Sequence, residues 1–291
     1  MAIDLLQDKI RKMKNPSVVN LIALPEHIPT HIMESSGDFV RARQIFFSEL
    51  LDGLKEVVPA VRFSYPHFAL SGCTGLESLT YLLQRAKELG YYVFLDGVEA
   101  LSVQEAEYNA QQLLGENCPF CFDGLVMPVY IGSDGIKPYL SLMKDSGKDL
   151  FVVVRTGNRS ATELQDLLTG TRLMHMAAAD IVDRFTKPLM TKCAYSQVAM
   201  MAGASSVSSL QSLRSKYKDA FILIDGCDYS NANAKNCAAA FDQLGHGAAA
   251  CAGLSVIGAW QEDGNEADYL ISAVDAARRL KKNLLRYITI L

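Results

Sequence analysis

The sequence predicts an α/β protein of one domain, a TIM (β/α)8 barrel that spans residues 1–291. Eight short apolar runs alternate with amphipathic stretches over about 250 residues, which is the repeat that such a barrel requires. No linker, low-complexity segment or change of composition divides the chain. A hydrophobic content of 49% and a charged content of 21% are ordinary for a globular chain with a substantial core.

The apolar runs are interpreted as parallel strands because they are short and most are rich in β-branched or aromatic residues. An open, doubly wound sheet is the alternative, and a glycine-rich turn after the first strand would favour it. That turn reads LPEHIP, without a GxGxxG pattern, so we prefer the barrel. The predicted strands lie at residues 17–24, 60–65, 91–96, 123–129, 149–155, 197–203, 220–226 and 247–253.

Helical patterns precede and separate these runs. The N-terminal segment is amphipathic and is expected to end before Pro16. Segment 160–185 begins with the capping-box pattern of Ser160 and Glu163 and is predicted as one long helix. The other predicted helices lie at residues 38–57, 75–90, 103–115, 207–217, 234–245 and 266–288.

Charge and hydropathy argue against several classes of partner. The net charge of −4 provides no basic excess for a phosphate backbone, so we expect no nucleic-acid partner. No apolar run reaches the roughly 18 residues of a membrane-spanning helix, so we expect no membrane partner. The N-terminus carries charges throughout, unlike a signal peptide. Together these features predict a cytoplasmic protein.

The seven cysteines are scattered, as expected for reduced thiols in the cytosol. Cys118 and Cys121 form a CPFC pair, which has redox or half-zinc spacing. The pair lies between a predicted helix and the next strand, and no second pair completes a zinc site. We therefore interpret these cysteines as structural and expect no metal.

In a barrel, functional residues lie at the carboxyl ends of the strands and in the loops that follow. Asp96 ends the third strand, so Asp96, Glu99 and Arg62 could form an acid/base cluster with His67 nearby. The alternatives are a structural ion pair between Arg62 and Asp96 and a solvent-exposed Glu99.

A second acidic pair follows the seventh predicted strand. Asp225 with Asp228 could hold a divalent cation, but two carboxylates are a weak signal, and a solvated or capping role is the alternative.

Several segments resemble one family nearly end to end, namely IDLLQDKIRKMKNPSVVNL (3–21), PAVRFSYPHF (59–68), GKDLFVVVRTGNRSATELQDL (147–167) and AMMAGASS (199–206). They are similar to the longer bacterial branch of the orotidine 5′-phosphate decarboxylases. The resemblance implies a homodimeric barrel of pyrimidine biosynthesis that removes CO₂ without a metal or organic cofactor. The family achieves this with a network of two lysines and two aspartates, one lysine protonating the carbanion.

This network is incomplete when it is carried over by position. The family's first aspartate falls on Asp96, but its proton-donating lysine falls on Val98 and its second aspartate on Leu101. The other lysine falls on Arg62, which keeps the charge but does not easily release a proton. The resemblance thus leaves Asp96 and Arg62 as candidate catalytic residues of a degenerate site.

The family's binding residues are also changed. Its ribose aspartate falls on Ile22, its pyrimidine serine on Gly157 and its phosphate arginine on Leu254. The phosphate loop falls on DGCDYSNA (225–232), and no Arg or Lys occurs at residues 219–234 or 236–277. The candidate substrate-binding residues that remain are Arg155, Thr156 and Asn158, which match the family pattern, together with Glu99.

Three hypotheses follow for the C-terminal face of the barrel, where a small-molecule or nucleotide ligand is expected. The chain is a working decarboxylase, a non-catalytic dimeric binding or regulatory homologue, or a different lyase or hydrolase that uses Asp96, Glu99 and Arg62. The missing lysine favours weak or no decarboxylase activity, because general-acid and electrostatic contributions are lost together.

Overall fold

A computed structural model describes residues 1–228 and 231–291, with the side chains of residues 231 and 232 also excluded. Within this part, eight parallel strands close into a barrel in the order β1-β2-β3-β4-β5-β8-β9-β10, with β10 pairing back to β1. The predicted TIM barrel and all eight predicted strands are confirmed. The barrel strands are β1 (Ser17–Leu21), β2 (Ala60–Ser64), β3 (Tyr92–Asp96), β4 (Gly124–Pro128), β5 (Asp149–Arg155), β8 (Val198–Gly203), β9 (Ile222–Cys227) and β10 (Ala248–Ala252).

Helices surround this barrel and include each predicted helix, in whole or in part. They are α1 (Ala2–Met13), α2 (Thr30–Ser36), α3 (Phe39–Leu54), α4 (Tyr65–Ala69), α5 (Gly72–Glu88), α6 (Val103–Leu114), α7 (Ser133–Ser146), α8 (Met174–Asp183), α9 (Val207–Lys216), α10 (Asn231–Ala238), α11 (Leu254–Ile257), α12 (Ala259–Asp263) and α13 (Tyr269–Leu284). No described helix is long and apolar enough to cross a membrane.

The prediction of one helix over residues 160–185 is wrong. Arg159–Glu163 forms a 3-10 turn, a short antiparallel hairpin follows, and α8 covers only the last part of the segment. The hairpin pairs β6 (Leu168–Thr169) with β7 (Arg172–Leu173). Its turn contains Gly170 at φ +65°, a left-handed conformation that suits glycine and interrupts a helix.

Helix α7 was not predicted, and its sequence explains why. Gly135 and Pro138 both lie inside it, and these two residue types are the least favourable in a helix interior. Its buried side, which includes Ile136, Tyr139 and Met143, stabilises it against the barrel in spite of them.

Aromatic rings fill the interior of the barrel. Tyr92 and Phe94 have centroids 4.7 Å apart, Phe94 and Phe151 5.0 Å, and Phe151 and Phe221 6.1 Å. Beneath them the Tyr92 hydroxyl donates to Asp149 over 2.8 Å, and burial raises the pKa of Asp149 well above its ordinary value. The barrel is therefore a packed core whose functional surface is its carboxyl-end mouth.

Two glycines meet where the loop after β5 passes the end of β8. A Cβ on Gly203 would lie 2.2 Å from the Cα of Gly157, which backbone cannot accommodate. A Cβ on Gly157 would lie 3.5 Å from the Cα of Gly203, an ordinary contact. Of these two positions, only 203 requires a glycine.

The CPFC pair lies in the loop between α6 and β4, as predicted. Cys118 Sγ donates to the carbonyl of Phe120 and Cys121 Sγ to the side chain of Gln84. The seven cysteines are free thiols. In residues 1–228 and 231–291, no group of three or more His, Cys, Asp or Glu side chains could hold a metal ion.

Candidate functional site at the mouth of the barrel

Arg62 lies at the centre of the mouth and joins strands from opposite parts of the barrel. Its Nε donates to Asp96 Oδ2 at the end of β3, and its Nη2 forms an ion pair with the same oxygen. Its Nη1 donates to Asp225 Oδ1 on β9 over 2.7 Å. Arg62 is 9% exposed and Asp96 6%, so these charges are largely removed from water. One guanidinium therefore connects β2, β3 and β9.

The register of the strands places these groups together. Asn20 of β1 lies beside Arg62, and Ser64 of β2 lies beside Asp96, so the polar residues occupy the top of the interior. Asn20 Nδ2 reaches Asp225 Oδ1 at 3.5 Å. The sequence did not reveal Asn20, or Asp225 as a partner of Arg62, because both depend on which strands face each other across the barrel.

The charge on Arg62 is fixed by its partners. Burial alone would lower the pKa of Arg62, but the charges of Asp96 and Asp225 raise it above its ordinary value. Cys251 is itself fully buried, and that burial raises the pKa of its thiol. The mouth thus contains one permanent cation held between two carboxylates, an arrangement that is unsuited to proton donation.

The other positions to which the resemblance carries the family's charged residues are apolar or lie at the surface. Val98 is half-buried against the core, and Leu101 is 77% exposed. Glu99 lies on the exposed surface of the same loop, where its backbone carbonyl accepts from Asn109 over 3.0 Å. The structure therefore joins Arg62 to Asp96 but does not place Glu99 with them.

The candidate binding residues after β5 form a separate network. Arg155 makes a two-pronged ion pair with Asp166, Nε to Oδ1 over 3.0 Å and Nη2 to Oδ2 over 2.9 Å. Thr156 N–H donates to Gln165 over 2.7 Å, and the Thr156 hydroxyl donates to the exposed Asn158. These hydrogen bonds tie the end of β5 to the loop ahead of α8.

A bulge accounts for the direction of Arg155. The pairing of β5 with β8 shifts register between Val153 and Arg155. A bulge of this kind turns the following side chain toward a new neighbour. Arg155 therefore contacts the loop that contains Asp166, whose pKa its hydrogen bonds lower.

His67 lies in α4 and supports the loop after β1. Its Nε2 accepts the backbone N–H of Ala23 over 3.3 Å, which requires a neutral ring. Burial, together with the nearby charge of Arg43, lowers the pKa of His67 to about 4.

The segment that the resemblance matches to the family's phosphate loop is only partly described. Residues 229 and 230 of DGCDYSNA lie outside the described residues. Asp225 at its start is engaged by Arg62, and Asp228 precedes the gap. The described part of this segment is acidic.

Comparison with known proteins supports the resemblance. No family model matches the chain. Orotidine 5′-phosphate decarboxylase of Rhodopirellula baltica is 26% identical over 230 residues, covering 77% of this chain and 76% of the relative. The Petrotoga mobilis protein of the same name is 24% identical and covers 94% and 96% of the two chains.

Solved structures show the same fold. Orotidine 5′-monophosphate decarboxylase of Plasmodium berghei superimposes with a TM-score of 0.75 at 13% identity, covering 97% of this chain and 98% of that one. OMP decarboxylase of Leishmania donovani gives 0.71 at 18% identity, with 97% and 98% covered. The resemblance of this chain to the orotidine 5′-phosphate decarboxylases, in sequence and in fold, is confirmed.

We expect Arg62→Met to lower the free energy of unfolding by about 3–5 kcal/mol, because it leaves the buried Asp96 carboxylate without its partner. Urea denaturation followed by circular dichroism measures the change. The control is Arg11→Met, which breaks the exposed ion pair with Asp8 and should change the stability far less. Equal losses in both variants would contradict a structural role for Arg62.

The lowered pKa of His67 predicts a pH dependence. The unfolded chain binds a proton near pH 6.5, whereas the folded chain resists it until about pH 4, so stability should fall as pH decreases through this interval. Allowing for partial exposure, the loss attributable to His67 is about 1–2 kcal/mol. His67→Gln retains an acceptor without titrating, so denaturation curves at pH 7 and 4.5 should differ less for this variant than for the wild type.

Proposed function

We propose that this chain, which resembles the orotidine 5′-phosphate decarboxylases along most of its length, is a divergent copy that decarboxylates orotidine 5′-monophosphate weakly or not at all. Its relatives' names associate it with pyrimidine nucleotide biosynthesis. The observation that carries the proposal is the cation at the mouth, which is an arginine held between Asp96 and Asp225.

The chemistry of decarboxylation explains the importance of this cation. Loss of CO₂ leaves a carbanion that must be protonated, and a positioned general acid contributes about 10²–10⁴-fold to such a step. The raised pKa of Arg62 makes its guanidinium a poor acid. The position of the family's proton donor is taken by Val98, which has no proton to give.

The acidic mouth also disfavours a nucleotide substrate. Asp96 and Asp225 share a single guanidinium, so the three groups together carry a net negative charge. A substrate carboxylate and phosphate would meet this charge without the arginine that the family supplies, since Leu254 occupies that position. Because phosphate binding supplies remote binding energy in the family, its loss weakens both binding and rate.

A non-catalytic homodimer is the second candidate function, and an exposed apolar surface supports it. Leu101 is 77% exposed, Tyr108 is 65% exposed, and Val103 lies between them at the start of α6. Exposed apolar side chains that follow one another along the chain can contribute to an association surface, and a two-fold dimer is the commonest closed assembly. A different lyase or hydrolase has less support, because Glu99 lies apart from Arg62 and Asp96.

The decarboxylase assay is the direct test. Purified chain and orotidine 5′-monophosphate should show a loss of ultraviolet absorbance no faster than the uncatalysed background. The Petrotoga mobilis relative, assayed under the same conditions, serves as the positive control. Turnover by this chain at a comparable rate would overturn the proposal, and tight calorimetric binding of uridine monophosphate would show that a phosphate site is present.

The homodimer is tested by sedimentation velocity. The wild type should sediment as a dimer, and the double variant Leu101→Glu/Tyr108→Glu should shift toward the monomer, because it places charges in an apolar contact. Ile271→Glu, at an exposed apolar position on α13, is the matched control and should remain dimeric. A wild type that is monomeric at micromolar concentrations would exclude this assembly.

A further inference from the structure

The two thiols of the CPFC segment differ in their access to solvent. Cys121 is exposed, whereas Cys118 is half-buried. Both lie in the loop between α6 and β4, outside regular helix and strand. Residues 119 and 120 form a bend, which curves the chain between the two cysteines. One thiol can therefore meet a molecule from solvent, while the other lies deeper in the same loop.

Each thiol has only a weak hydrogen bond to give up. Cys118 Sγ donates to the Phe120 carbonyl over 3.3 Å, and Cys121 Sγ donates to Gln84 Oε1 over 3.0 Å. A thiol is a weak donor, so either sulfur can leave its acceptor at little cost. Two residues between the cysteines is the spacing with which redox pairs close an intramolecular disulfide.

A lysine ammonium group lies near both sulfurs. Lys148 Nζ donates to the Leu113 carbonyl over 2.7 Å and lies 3.9 Å from the ring centroid of Phe122, which follows the motif. Burial lowers the pKa of Lys148, whereas thiolates at Cys118 and Cys121 would raise it, so both sulfurs are within electrostatic range of the ammonium. A cation beside a cysteine is one of the settings in which cysteines react.

An open groove gives a small molecule access to this loop. The groove has a volume of about 640 Å³ and lies between the loop and α5. Pro119 and Phe120, the two residues between the cysteines, form one side of it. The other side is formed by Leu76, Thr80 and Tyr81. Gln84, the acceptor of the Cys121 thiol, also lines the groove, so a molecule that enters comes next to the exposed thiol.

We propose that Cys118 and Cys121 form a redox-active dithiol that exchanges with a small disulfide, RSSR. The thiolate of Cys121 attacks one sulfur of the small disulfide, which yields a mixed disulfide and expels RS⁻. The thiolate of Cys118 then attacks Cys121 Sγ, closes the bond between the two cysteines and expels the second RS⁻. The protons that the cysteines lose pass to the departing thiolates, so the dithiol is oxidised while RSSR is reduced to two thiols.

A second pair of cysteines provides an internal control. The sulfurs of Cys227 and Cys237 lie 3.4 Å apart, but both residues are buried. Their hydrogen bond, together with burial, raises the pKa of the Cys227 thiol. We therefore expect this pair to remain reduced under conditions that oxidise the exposed loop. The proposal is independent of the decarboxylase question, because the loop shares no residue with the mouth.

Incubation of the reduced full chain with glutathione disulfide at about pH 8, close to the ordinary pKa of a thiol, tests the proposal. The reaction is quenched with acid, the chain is unfolded, the remaining thiols are alkylated, and the peptides are mapped by mass spectrometry. We expect Cys118 and Cys121 to lose alkylation together, with the loss of two hydrogen atoms from the peptide that contains them. The exposed Cys73 should form only a mixed disulfide with glutathione, and Cys227 and Cys237 should still be alkylated.

Variants separate the two steps. Cys118→Ser should stop at the mixed disulfide between Cys121 and glutathione, because no thiol is left to close the bond. Cys121→Ser should leave Cys118 largely reduced over the same time, since the exposed thiol is the one that meets the small disulfide. Lys148→Met should slow the closing step, whereas Lys144→Met, at an exposed position on α7, is the matched control and should not.

A mixed disulfide that accumulates on wild-type Cys121 without closing would overturn the proposal. Oxidation of Cys73 while Cys118 and Cys121 stay reduced would overturn it as well. Equal closing rates in Lys148→Met and Lys144→Met would show that the ammonium has no part in the reaction. Circular dichroism establishes that each variant is folded, and the wild-type products decide the proposal even if Lys148→Met does not fold.

Discussion

The ion triad of Arg62, Asp96 and Asp225 is the constraint on which the mouth of the barrel depends. Arg62 and Asp96 are buried together, and loss of the arginine would leave the Asp96 carboxylate buried without compensation, which is far more costly than the pair is stabilising. The guanidinium also spans the barrel, since β2 and β9 are separated by β1 and β10. The ion pairs of Arg62 therefore hold the ends of β2, β3 and β9 in one arrangement.

Arg62 and Arg155 both pair with aspartates, but their strands direct the two side chains to different parts of the barrel. Arg62 points into the barrel by the regular alternation of β2 and meets the two aspartates there. Arg155 follows the bulge in β5 and braces the loop ahead of α8 instead. The first arrangement places a fixed cation in the mouth, and the second fastens the loop ahead of α8 to the end of β5.

The sequence predicted the barrel because apolar runs determine strands, and it predicted the Arg62–Asp96 pair because adjacent strand ends must meet. It did not predict the third member, Asp225, because that contact crosses the barrel. It also misjudged residues 160–185, where a local turn at Gly170 overrides a helical pattern. The direction of the Arg155 side chain depends on a register shift between β5 and β8, which the pattern of residues in the sequence does not predict.

The close approach of Gly157 and Gly203 has a consequence for which residues this edge of the barrel can accept. Position 203 admits no side chain without displacing the backbone of the loop after β5. Position 157 has ordinary space around it, so a serine there, which is the residue that the resemblance implies at this position, would fit without moving the backbone. The loop after β5 can therefore be varied at position 157 while the end of β8 stays fixed.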